Sequence, residues 1–192
     1  MSLTSTVAEG LRGAILLFRQ DAAGLANFDL SIEGFWRSFL VPILLSPLSV
    51  LAGMLALGSD SDVPDGYLAI KMAGDLVSIA AFPILMVPLA RILGLGGAYV
   101  PYIVAGNWAA LPVTIANLVL ALLMLFAGAS FGDAGLSVVS LFVGLPLLVL
   151  VLRYLFTIAR IALGAGPGTA AGLTAVQFLL WVLIDQATEG FF

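Results

Sequence analysis

Residues 99–127 read YVPYIVAGNWAALPVTIANLVLALLMLFA, a run that contains no Asp, Glu, Lys or Arg. At about 1.5 Å of rise per residue, a straight helix of this length is longer than a bilayer hydrocarbon core of about 30 Å. We therefore predict a break near residues 106–112, where Gly106, Asn107 and Pro112 interrupt the apolar pattern. The piece that follows the break is still long enough to cross a membrane.

Four more stretches have the length and apolar character of membrane-spanning helices. They lie at about residues 39–57, 68–93, 136–157 and 169–186, within a transmembrane domain of residues 39–187. The composition agrees, because 62% of the residues are hydrophobic and 9% are charged, whereas about 25% are charged in soluble domains. The predicted fold class is all-α: a polytopic integral membrane protein, a bundle of five transmembrane helices with an N-terminal amphipathic helix.

The N-terminal segment, residues 1–38, differs from the rest of the chain. Leu11, Ile15 and Phe18 fall on one stripe of a helix, while Glu9 and the arginines fall largely elsewhere. Such a helix lies on the membrane surface or packs beneath the bundle. We therefore predict a cytoplasmic or interfacial amphipathic segment.

Aromatic and cationic residues near the ends of the spans are typical membrane anchors. We assign this role to Trp36, Arg37, Arg153 and Arg160. With five spans and a cytoplasmic N-terminus, all six arginines face the cytoplasm, and only Lys71 lies toward the other side. The positive-inside rule then predicts a bacterial inner-membrane protein with a cytoplasmic N-terminus and a periplasmic C-terminus.

The chain has no Cys and no His. Disulfides, thiolate zinc sites, iron–sulfur clusters and histidine acid–base chemistry are therefore excluded. It also has no basic block of the kind that binds nucleic acid. We expect no cofactor, no metal, no enzymatic activity and no nucleic-acid partner; the expected partners are the lipid bilayer and other membrane proteins or further copies of the chain.

Ionisable groups inside spans are rare and usually face the bundle interior or water, so they are the candidate site residues. Lys71 and Asp75 are four residues apart on the second span and share a helical face. Three interpretations remain open: both are interfacial, they pair inside the bundle, or they line an ion or proton pathway. Asn107 is the third member of this candidate intramembrane polar site, as a partner for backbone groups at the predicted break.

Other polar and small residues within the spans have simpler interpretations. Interhelical hydrogen bonds account for the amides of Asn117 and Gln177. Glycines such as Gly74 and Gly172 allow close helix contacts.

The segment 96–112, with its paired glycines and its Ala105-Gly106-Asn107-Trp108-Ala109-Ala110-Leu111-Pro112 motif, resembles the third-span region of Yip-type membrane proteins. The basic end of the fourth span and the Gly168–Gly172 opening of the fifth are also similar, so the resemblance covers about residues 90–185. It implies a five-span bundle with a cytoplasmic N-terminus and no catalytic residues. The acidic N-terminal signature of the eukaryotic branch is missing, so the resemblance implies no GTPase partner.

Three functional hypotheses follow. The first is a non-enzymatic accessory or assembly subunit, or an oligomer, that acts through helix–helix contacts. The second is a small transporter or channel that uses Lys71, Asp75 and Asn107. The third is a lipid-interacting or membrane-shaping protein that acts through its N-terminal helix. A cavity that reaches Asp75 would favour the second.

Overall fold

A computed structural model describes residues 3–57 and 65–191. Every regular element in these two ranges is helical. Residues 59–66, whose three aspartates, Pro64 and Gly66 predict a solvated turn after the first span, lie mostly outside the described residues.

Seven α-helices follow one another along the described chain. They are α1 Leu3–Phe18, α2 Ile32–Ser38, α3 Leu40–Leu57, α4 Tyr67–Ile92, α5 Tyr99–Val139, α6 Leu145–Ala162 and α7 Pro167–Glu189. Short 3-10 helices at Ala22–Asn27 and Gly96–Ala98 connect some of them. A π-helical turn at Ser140–Gly144 joins α5 to α6, whose second residue, Pro146, cannot donate a helical hydrogen bond.

Four helical segments are long and apolar enough to cross a membrane, among the residues described. They are Ile32–Leu55, Tyr67–Ile92, Gly96–Ala162 and Pro167–Glu189. The described chain thus has helices suited to cross a membrane, as its composition predicts, but this count does not confirm five spans. The third segment has 67 residues and contains both the third and the fourth predicted spans.

The 67-residue segment reverses direction at Gly132. This glycine has φ 59° and ψ −148°, a conformation outside the helical region that favours glycine. The Ser140 hydroxyl lies 3.6 Å from the sulfur of Met124, although a straight helix would separate these residues by about 24 Å. The helical limbs on either side of Gly132 therefore run antiparallel.

The predicted break near residues 106–112 is wrong. The backbone of α5 continues as a helix through Gly106, Asn107 and Pro112, and its non-helical residue is Gly132. The physical reason is that the start of α5, including the buried Tyr102 and Val104, packs against α1 and α2. The excess length is covered by protein, so the helix does not have to bend to fit a bilayer.

Five helices form a ring. In the order α3, α4, α7, α6, α5 and back to α3, each packs on its two neighbours. The contact between α4 and α7 is close, because a Cβ added at Gly74 would lie 2.5 Å from Cγ2 of Thr188. Gly74 thus makes the close helix contact that its sequence context predicts.

The core of the protein lies at one end of this ring, the end that holds α1, Arg91 and Arg160, which we call the arginine end. Side chains from α1, α4, α5, α6 and α7 form its buried cluster, which includes Leu17, Met86 and Ile158. The hydroxyl of Tyr154 donates a 2.7 Å hydrogen bond to the Ala14 carbonyl and ties α6 to α1. The N-terminal helix is therefore integrated into the bundle.

The face of α1 that packs on the bundle is not the stripe that the sequence suggests. Gly10, Gly13, Ala14 and Leu17 are buried, and Gly10 abuts the ring of Trp108. On the predicted stripe, Ile15 and Phe18 remain exposed. Small residues allow α1 to approach α5 closely, and Ile15 and Phe18 are left outward while Leu17 is buried. An interfacial role for this outward stripe stays a prediction.

The start of α2 is fixed by short-range hydrogen bonds. The Ser31 hydroxyl caps the helix by accepting from the Gly34 N–H at 3.0 Å, and Asp29 Oδ1 accepts from the Ser31 N–H at 3.0 Å. Hydrogen bonds to Asp29 from the side chain and the backbone N–H of Ser31 lower the pKa of Asp29, because they favour the charged carboxylate.

Candidate functional site

A cavity of about 470 Å³ lies inside the ring, and all five helices line it. Its polar lining comes from Ser46 and Ser49 of α3, Asp75 and Ser78 of α4, Thr114 and Asn117 of α5, and Gln177 of α7. Its apolar lining includes leucines of α6 together with Phe82, Phe178 and Trp181. Ligand pockets have volumes of about 300–1,000 Å³, so this cavity is large enough for a small organic molecule.

Asp75 lies on the cavity wall toward the end of the ring opposite to the arginine end, which we call the Lys71 end. It is eight residues into α4, which begins at Tyr67, or roughly 12 Å along the helix axis. The hydroxyl of Ser46, a buried residue, donates a 3.1 Å hydrogen bond to Asp75 Oδ2, and the Ser49 side chain also hydrogen-bonds to this carboxylate. Two hydroxyls of α3 therefore orient the carboxylate.

Lys71 does not pair with Asp75. Its Nζ donates a 2.9 Å hydrogen bond to Asp185 Oδ1 and lies 3.5 Å from Glu189 Oε1, both on α7. The spacing of four residues allowed a pair within α4, but two carboxylates on the neighbouring helix compete for the same cation. The ion pairs close the ring between α4 and α7 and leave Asp75 without a cationic partner among the described residues.

Asn107 joins α5 to the junction of α2 and α3. Its Nδ2 donates a 2.9 Å hydrogen bond to the Ser38 hydroxyl, which in turn donates to the Phe35 carbonyl at 2.7 Å. Asn107 also lines a smaller cavity of about 110 Å³ that shares Ser78, Phe82 and other residues with the large one. The structure thus places Asn107 on the side of the main cavity that faces the arginine end, away from Asp75 and Lys71.

The floor of the main cavity, which is its side toward the arginine end, is formed where it meets the smaller cavity. The Tyr102 hydroxyl lies 3.5 Å from Oε1 of Gln177, and the rings of Tyr102 and Phe82 are in edge contact at 5.9 Å. Below these side chains the buried core of the arginine end begins. The cavity is therefore closed by packed side chains toward the arginine end. Ser49 and Trp181, which are exposed, also line it.

The four predicted anchor residues have different environments. Trp36 is 67% exposed, and the guanidinium of Arg37 pairs with Glu33 one turn earlier on α2. Arg153 is exposed, and Arg160 donates a 2.9 Å hydrogen bond to the Ala165 carbonyl just beyond α6. All four belong to the arginine end, which is compatible with an anchoring role, and that role stays a prediction.

The sequence reasoning missed most of the polar lining. The signal was present, because each of three successive spans carries two polar residues three positions apart: Ser46 and Ser49, Asp75 and Ser78, Thr114 and Asn117. Residues three apart share a helical face. The interhelical hydrogen bond predicted for Asn117 is absent from the described part of the chain, where its amide has no hydrogen-bond partner and the residue lines the cavity.

The lining determines which ligands suit the cavity. No group of three or more Asp, Glu, His or Cys residues that could hold a metal ion occurs among the residues described. One carboxylate, several hydroxyls and two amides instead offer hydrogen bonds and a single negative charge. Aromatic and aliphatic side chains supply the rest of the wall. This combination is typical of pockets for small organic molecules.

No known protein family, curated protein or solved structure matches the chain. The resemblance to Yip-type proteins is therefore neither supported nor contradicted, and it stays a prediction.

We expect Lys71 to be coupled energetically to Asp185 more strongly than to Asp75. In a double-mutant cycle, Lys71→Gln and Asp185→Asn should show a coupling of about 0.5–1 kcal/mol, because the pair is partly exposed. The free energy of unfolding, measured in detergent for the single and double variants, gives the coupling.

The cycle of Lys71→Gln with Asp75→Asn is the matched control. A coupling there equal to or larger than that of the Lys71 and Asp185 cycle would contradict the ion pairing described above.

Proposed function

We propose that the protein is a five-span inner-membrane protein that binds a small solute in its central cavity and acts as a small transporter. The observation that carries this proposal is the cavity that reaches the unpaired carboxylate of Asp75. Intramembrane carboxylates are unfavourable against hydrocarbon and commonly mark substrate or ion pathways. Five helices of the ring contribute to its wall, so the binding site is made by the fold as a whole.

Five spans are supported by the reversal at Gly132. The Gly96–Ala162 segment would measure about 100 Å as a single straight helix, far more than a bilayer is thick. Folded back at Gly132, its two limbs each have the length needed to cross once. With α3, α4 and α7, this makes five crossings.

The charge distribution supports a cytoplasmic N-terminus. Arg91, Arg153 and Arg160 belong to the same end of the ring as α1 and α2, which carry Arg12 and Arg37, and Arg19 directly follows α1. The opposite end carries Asp185 and Glu189, together with Asp133 beside the reversal. The positive-inside rule then directs the arginine end toward the cytoplasm.

A C-terminal fusion tests the five-span topology. A reporter that is active only outside the cytoplasm, fused after Phe192, should be active, because an odd number of crossings separates the two termini. The same reporter inserted at Gly164, in the turn between α6 and α7, should be inactive. Activity at Gly164 with none at the C-terminus would reverse the topology.

Cysteine labelling tests whether the cavity is open to water. The chain has no Cys, so a single-cysteine variant can be made directly in the parent sequence without first removing native cysteines. We expect a membrane-impermeant methanethiosulfonate reagent with a trimethylammonium head to label Ser78→Cys, because Ser78 lines the cavity. Mass spectrometry of the protein in vesicles measures the extent of labelling.

The matched control is Val77→Cys, one residue away. Val77 is 54% exposed on the outside of the ring, where it would face lipid, so its variant should stay unlabelled. Equal labelling of both variants, or labelling of Val77→Cys alone, would contradict the proposed cavity.

The accessory-subunit or oligomer hypothesis is a second candidate, and one face of α7 favours it. Gly168, Ala171, Gly172 and Ala175 are all exposed on this face. A Cβ added at Gly168 or Gly172 would meet no atom within 4 Å, in contrast to Gly74. Outward faces of small residues permit close packing of helices from separate chains in a membrane.

If the face on α7 joins two copies of the chain, Gly172→Leu should abolish the oligomer, because the larger side chain separates the helices. Size-exclusion chromatography with light scattering in mild detergent measures the mass, and Leu122→Ala, at an exposed residue of α5 away from this face, is the control. A monomeric parent protein would exclude a homo-oligomer formed by this face.

A further inference from the structure

The charge balance around Asp75 is the first observation that bears on the ligand of the cavity. Its side chain is hydrogen-bonded by Ser46 and Ser49, and neither serine carries a charge. Lys71, one turn away, is held by Asp185 and Glu189. Among the residues described, no cation is paired with Asp75. A negative charge in such surroundings attracts a cation more strongly than it would in water.

The aromatic wall is the second observation. Phe178 and Trp181 line the cavity with ring centroids 6.1 Å apart, and Phe82 lines it nearer to the floor. Aromatic faces attract organic cations, and Trp does so best. The leucines of α6 complete an apolar surface opposite to the polar residues of α3 and α4.

The small number of oxygen ligands argues against a bare metal ion. Calcium takes six to eight oxygen ligands, and magnesium requires a near-octahedral set. Asp75 is the one carboxylate in the cavity lining, with Ser46 and Ser49 beside it. An organic cation needs fewer direct ligands, because its charge is spread over a large surface and its apolar groups contact the wall.

Resting on the proposed function, we propose that the cavity binds lipophilic organic cations, with the positive charge near Asp75 and the apolar groups against Phe178, Trp181 and the leucines of α6. The ligand class is monovalent, because the lining carries one negative charge. It is compact, because the volume of about 470 Å³ suits a single drug-sized molecule.

Tetraphenylphosphonium and tetraphenylborate separate charge from shape, because the two ions have nearly the same size and opposite charge. Each is titrated by equilibrium dialysis against the full chain in nanodiscs of zwitterionic lipid, with binding to empty nanodiscs subtracted. We expect the phosphonium to bind about 10- to 100-fold more tightly than the borate. Equal affinities, tighter binding of the borate, or no binding of the phosphonium would overturn the proposed ligand class.

Asp75→Asn should reduce the affinity for the phosphonium about 10- to 100-fold and leave that for the borate unchanged or higher. Asp133→Asn is the matched control, because it removes one negative charge beside the reversal at Gly132, outside the cavity lining. Its affinities should equal those of the parent chain. A loss of phosphonium binding in both variants, or in neither, would contradict the assignment of Asp75.

Labelling of Ser78→Cys distinguishes failure of this inference from failure of the proposed function. Slower labelling in the presence of the phosphonium, with no effect of the borate, supports the inference. Labelling that neither ion slows, or that both slow equally, overturns the cation class and leaves the water-accessible cavity standing. Absence of labelling without any ligand overturns the proposed function and the inference together.

Discussion

A carboxylate cannot lie against hydrocarbon without a large unfavourable free energy, and this constraint shapes the central part of the molecule. Asp75 lies within the apolar helix α4, so the face of α4 that carries it must turn toward other helices or toward water. The ring of five helices satisfies this requirement by placing Asp75 on an internal wall, beside the hydroxyls of Ser46 and Ser49. Asn117 of α5 and Gln177 of α7 follow the same rule, because both line the same cavity.

The two ends of the ring differ in packing, and the two ends of the cavity therefore differ as well. At the arginine end, α1 inserts its small residues against α5, and the hydroxyl of Tyr154 binds the Ala14 carbonyl. At the Lys71 end, the helices are held by contacts between neighbours, including the ion pairs of Lys71 and the approach of Gly74 to Thr188. The cavity therefore has a packed floor on one side and reaches exposed residues such as Ser49 on the other.

Hydropathy predicted the helical class and the approximate positions of the apolar helices, because the length of an apolar run is a local property of the sequence. The partner of Lys71 was not predictable in the same way, since Asp185 and Glu189 are more than a hundred residues away and the choice depends on which helices are neighbours. The buried face of α1 was missed because hydrophobicity ranks Ile15 above Gly10, whereas close packing selects the smaller residue. A break at residues 106–112 would be needed only if lipid surrounded all of α5. Because α1 and α2 cover the start of this helix, the break is not needed.

The water accessibility of α4, position by position, tests the central claim most directly. Single spin labels at positions 75–82, in vesicles, report collisions with a water-soluble nickel complex and with oxygen, which concentrates in lipid. The ring predicts that nickel accessibility peaks at Asp75 and Ser78, whereas oxygen accessibility peaks at the outward residues Leu76 and Val77. Nickel accessibility that is uniformly low along the helix, or that peaks at Val77, would contradict a water-filled cavity enclosed by five helices.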